Sequence, residues 1–125
     1  MHATTHFPAF FQDIPPLTLR DPLAALLGAA EGGLIDYRYA DAVKLAGHSC
    51  PTVAGAWLMA RRGLNALYGD EVPTRGGLRV EFKAARDAGT TGVVGNVLSL
   101  ITGAAGDDGF KGLGGKQARR DLLLF

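Results

Sequence analysis

The segment that most restricts the fold lies between Gly47 and Gly69. Pro51 lacks a backbone N–H and has a φ already suited to a first helical turn, so it opens a helix. Val53, Trp57, Met59, Ala60, Leu64 and Leu67 then supply apolar members at helical spacing. The spacing predicts one long helix over roughly 51–68, stopped by Gly69. A helix with such a stripe holds its shape chiefly by packing, so the rest of the chain must cover it.

Shorter elements supply that cover. Residues 1–16 read as irregular, with Phe7, Phe10 and Phe11 as their aromatics, and Leu17 to Leu19 as a short extended stretch. Asp21-Pro22 reads as an N-cap followed by proline at the first helical position. The helix it starts runs through Leu23, Leu26 and Leu27, and ends near Gly28 or Gly32-Gly33. Leu34 to Tyr39 alternates apolar and polar side chains and predicts a strand. Asp41 is expected to cap a short helix over 42–46. Leu78, Val80 and Phe82 alternate with Arg79 and Glu81, which predicts a second strand with its apolar side chains on one face. Val93 to Ile101 is mostly apolar and reads as a helix. Thr102 to Lys116 reads as a long glycine-rich loop, and Leu122 to Phe125 as a final strand. Because that strand stops while still hydrophobic, the expectation is a longer natural chain or pairing with a partner. Without regular βαβ repetition, the pattern predicts an α+β fold with a mixed or antiparallel sheet flanked by helices.

At 125 residues the chain fits a single domain, 1–125, with one hydrophobic core. Thirteen basic and 12 acidic residues give a formal net charge of +1, which offers no footprint for nucleic acid or an anionic membrane. No run of 18 apolar residues suggests a membrane span. The 18 glycines are about twice the usual share and concentrate after Gly76, so tight turns or close backbone approaches belong to the second half. Cys50 is the one cysteine, so no internal disulfide forms. Together with an N-terminus that lacks a signal-peptide pattern, this points to a reducing cytoplasm.

The chemistry concentrates at Gly47-His48-Ser49-Cys50-Pro51. Cys50 stands just before the long helix, where free N–H groups and the positive end of the helix dipole favour a thiolate. In an extended segment His48 projects to the same side. An imidazole beside a thiolate is half of a zinc-type site. The plainer reading is a small buried cysteine and a structural histidine.

Gly-His-Ser-Cys-Pro at a helix start resembles the Gly-His-x-Cys-Pro motif of the FmdE-like family, whose members are related to one component of formylmethanofuran dehydrogenase. Thr102-Gly103-Ala104-Ala105-Gly106 is similar to that family's Thr-Gly-x-Thr segment, and Gly115-Lys116 to its later Gly-Lys. The resemblance spans roughly residues 36–125. It implies an α+β domain like the catalytic domain of glyceraldehyde-phosphate dehydrogenase, a homodimer, and zinc or another divalent transition metal at His48 and Cys50. The sequence departs from the family pattern at Ala46, where a histidine is common, and at Val93, Asn96 and Ala104, where the family has cysteine, aspartate and cysteine. The C-terminal zinc ribbon of many relatives is lacking.

Other residues could join such a centre. Asp107 and Asp108 could complete a metal shell or contact a small-molecule ligand, and Lys116 could hold an anion. Arg86 to Gly92 offers charge, hydroxyls and free N–H groups before a helix. His2 and His6 would reach the centre if the N-terminal arm folds over it, and Asn96 would need partners if buried. The run Gly109 to Gly115 fits neither a P-loop nor a dinucleotide fingerprint. Three functions follow from these residues. One is a metal-binding protein, possible enzyme, with His48 and Cys50 as ligands. A second is a thiol enzyme with Cys50 as nucleophile and His48 as its base. The third is a non-catalytic subunit or assembly module of a redox complex.

Overall fold

The structure, a computed structural model, describes residues 4–125. Among these residues it is α+β, with four α-helices, two short 3-10 helices and two separate two-stranded sheets. Strand β1 (Leu17–Arg20) pairs antiparallel with β2 (Leu34–Tyr37), with Leu19 opposite Ile35. Helix α1 (Pro22–Leu26) lies between them in sequence, followed by α2 (Tyr39–Ala46), α3 (Pro51–Tyr68), β3 (Val80–Glu81), α4 (Thr91–Thr102) and β4 (Leu123–Leu124). Strands β3 and β4 pair in parallel. The expected single mixed sheet is therefore two ribbons. They are too short to form a core and act as covers on the helices. Among the described residues no helix is long and apolar enough to cross a membrane.

Helix α3 is the centre of the packing, as its length required. Val53, Ala56, Trp57, Ala60 and Leu64 are buried on one face and meet Val97, Leu98 and Ile101 of α4, with Tyr39 and Ala42 of α2 beside them. Their spacing of three or four residues places them on one stripe. Two apolar residues expected on that stripe are not there. Met59 and Leu67 fall off it and are 51% and 66% exposed. The N-terminal aromatics are structural: Phe11 is buried, edge-on to Tyr39 at 5.0 Å, and Phe7 stacks on Phe11.

Local capping follows the sequence at α1, where the Asp21 carboxylate accepts from the Leu23 and Ala24 N–H groups. At α2 the helix starts earlier than expected. Asp41 sits three residues inside it and accepts the Arg38 backbone N–H at 2.8 Å. Residues 78–82 form only two residues of strand, yet Leu78, Val80 and Phe82 all pack against the core. The C-terminal strand pairs with β3 within the chain. Val80 and Phe82 donate their N–H groups to Leu122 and Leu124, and Phe125 stacks on Phe82 at 5.3 Å.

A polar cluster is buried among the described residues. Asp21 holds Arg119 at 2.6 Å and Arg75 at 3.0 Å. Arg75 also donates to the carbonyls of Leu100 and Ile101 at the end of α4, and lies over the Tyr37 ring at 5.2 Å. Burial pushes the Asp21 carboxyl up. The hydrogen bonds from Arg119, the Ala24 N–H and Arg75 outweigh it, so its pKa ends below the usual value. Gly76 and Gly103, both at positive φ, leave room for the Arg119 guanidinium; a Cβ on either would collide with it. The cluster ties β1, the turn after α3, the end of α4 and the C-terminal segment together.

Candidate functional site

The His48–Cys50 turn is built by its two neighbours. Gly47 ends α2 in the left-handed region (φ 80°) and donates its N–H to Val43 at 2.7 Å. Pro51 starts α3, so the three residues between them cannot belong to either helix. Cys50 is extended at the N-cap position, and its carbonyl accepts the Ala54 N–H. Ser49 is pinned from the other side, with its Oγ 2.7 Å from the Tyr39 hydroxyl. Tyr39 packs edge-on against Trp57, so the turn is tied to the core through one phenol.

His48 is exposed and Cys50 is half-buried. The His48 Nδ1 lies 3.1 Å from the Ala46 carbonyl oxygen, which selects the Nδ1–H tautomer and leaves Nε2 free. That carbonyl raises the imidazole pKa most, and Cys50 adds to it. The Cys50 sulfur makes no helix-capping hydrogen bond within contact distance. The nearby Val53 N–H nonetheless lowers its pKa most; partial desolvation opposes this, and the Thr52 N–H and His48 reinforce it. Each side chain is thus shifted towards its charged form.

His48 opens onto a cleft of about 170 Å³ that it shares with Leu45, Ala46, Val93, Asn96 and Val97. Val93 and Asn96 reach this cleft from α4. Neither supplies a thiolate or carboxylate here. Among the described residues no three His, Cys, Asp or Glu side chains gather as a metal group. As donors, an imidazole and a thiolate suit zinc, but a closed four-ligand shell is not available from them.

The remaining candidates are dispersed. Asp107 is exposed in the turn after Gly106 and does not line the His48 cleft. Lys116 is also exposed; its backbone closes a tight turn with Leu113 through two hydrogen bonds. Asp108 lines a second cleft with Arg86 and Asn96. His6 lines a third with Phe7 and Arg38, and His2 lies outside the described residues. Asn96 is exposed, so it needs no buried partner. The cluster at Asp21, Arg75 and Arg119 was not expected from the sequence. Its arginines stand 54 and 98 positions from Asp21, and only the capping role of Asp21 has a local signature. Comparisons with protein-family models, with curated proteins and with solved structures returned no match to this chain, so the chemistry of the turn is read from its own geometry.

Proposed function

We propose that the protein is a metal-binding, FmdE-like protein in which His48 and Cys50 hold a divalent ion of the zinc type. One observation carries the reading: an imidazole anchored through Nδ1, with Nε2 free, stands beside a thiol already biased towards thiolate. A metal-ligating histidine is commonly oriented in this way, by donating its other ring N–H to a carbonyl. The Gly-His-Ser-Cys-Pro resemblance supports it. With two protein donors the site is open, and water, a ligand or a second copy of the chain fills the rest. When bound, such an ion supplies Lewis acidity at its open positions. The chain itself orients the imidazole through Ala46 and holds the turn through Tyr39 and Ser49. Metal content of the purified protein tests this beside Cys50→Ala and His48→Ala. Stoichiometric zinc in the wild type and its loss in both variants is expected; equal metal in all three removes the reading.

The mutual bias of the two side chains also favours a second reading, a metal-free thiol nucleophile with His48 as its base. Chelator-treated protein that reacts rapidly with thiol reagents below the usual thiol range, and that binds no zinc on its return, would select it.

A further inference from the structure

We infer that the cleft between Arg86 and Asp108 binds a small carboxylate carrying an amino or hydroxyl group. The cleft has a volume of about 310 Å³, which lies at the small end of ligand sites. Arg86 is its cation. The guanidinium carbon lies over the Phe125 ring at 4.8 Å, and Phe125 is itself stacked on Phe82, so the cation rests on an aromatic pair. Among the described residues no carboxylate forms an ion pair with Arg86. A planar fork with no partner matches a carboxylate through two parallel hydrogen bonds.

Asp108 gives the second half of the specificity. A Cβ on Gly106 would lie 3.4 Å from Arg86 Nη2 and 3.5 Å from Asp108 Oδ1. The two opposite charges therefore flank one point without pairing. A ligand that presents an anion to one and a hydrogen-bond donor to the other bridges them. The Asp108 carboxylate also disfavours a dianion such as phosphate in the same space. Asn96 lines both this cleft and the one beside His48, so the two are neighbours across one residue of α4. The inference does not depend on metal at Cys50.

Titration of the ¹⁵N-labelled full chain with glycine, glycolate, acetate and inorganic phosphate, followed by backbone amide shifts, tests it. Glycine or glycolate is expected to shift the Gly92, Asn96 and Gly106 amides at lower concentration than acetate or phosphate. Arg86→Gln, at an exposed position, weakens that binding by at least about tenfold. Asp108→Asn removes the preference over acetate. Gly106→Ala, which sets a methyl at ordinary contact distance between the two charges, blocks the ligand. Cys50→Ala leaves the binding unchanged, which separates this site from the proposed metal centre. Absence of shifts with every probe, tighter binding of phosphate, or undiminished binding in Arg86→Gln would overturn the inference.

Discussion

Two polar groupings in this protein are built in opposite ways. The His48–Cys50 turn draws its geometry from residues within about ten positions of it: Tyr39, Ala46, Gly47, Ser49 and Pro51. Its imidazole faces solvent. The Asp21–Arg75–Arg119 cluster joins residues 54 and 98 positions apart and buries Asp21 and Arg119 to 4% and 6% exposure. A charge in water is easily removed and available for chemistry. A charge inside the protein is destabilising when left unpaired and is out of reach of a ligand. The turn is thus the candidate for function, and the cluster is part of the framework that carries it.

That contrast can be broken by substitution. The largest effect is expected at Asp21. Asp21→Ala strands two arginines, one of them buried, and removes the α1 cap, so denaturant unfolding should show a loss of about 3–5 kcal/mol. A loss under about 1 kcal/mol would mean that water reaches the arginines and that the cluster is not the buried framework described. The pH dependence sharpens the point. Asp21 has a lowered folded pKa, so its contribution is present above the ordinary carboxylate range and is lost as pH falls through the depressed value. The acid limb of wild-type stability should shrink in Asp21→Ala.

A smaller loss is expected for Gly103→Ala, about 2–3 kcal/mol by the same measurement. It combines left-handed strain at φ 78° with displacement of the Arg119 guanidinium. At the turn, Cys50→Ala should move the unfolding midpoint little while abolishing thiol labelling and, if the proposed centre forms, its metal binding. A large stability loss there would return Cys50 to an ordinary packing role. The smallest effect is expected for His48→Gln in metal-free protein. Because His48 is only one of several groups lowering the thiol pKa, the midpoint of thiol labelling should rise modestly. A fall, or no change, would show that the two side chains do not interact.

Much of this protein was legible in the sequence. Pro51 and Gly69 mark the ends of α3, Asp21-Pro22 marks the start of α1, and Gly47 to Pro51 marks the turn, because caps and prolines act within a few residues. The face of α3 was less legible. Met59 and Leu67 are as apolar as Leu64, and only the positions of α2 and α4 decide which of them is covered. The sheets were legible as strands but not as two ribbons, since partner choice is a long-range property. At the candidate site, the His48–Cys50 pair and its bias towards thiolate could be read from spacing. The partners expected for it could not. Asp107 and Lys116 lie apart from the His48 cleft, while Asn96 and Val93 line it from another helix.

The sequence by itself therefore determined the local frame: where helices begin and stop, and that an imidazole and a thiol share one turn at the head of the longest helix. Those features depend on backbone dihedrals and on hydrogen bonds to near neighbours. Tertiary structure alone decided that Asp21 meets Arg75 and Arg119, that Arg86 rests on Phe125, and that Asn96 joins the cleft at His48 to the cleft at Arg86. These contacts follow from how the covers close on α3 and α4, and an isolated charge or ring carries no local mark of the partner it will meet.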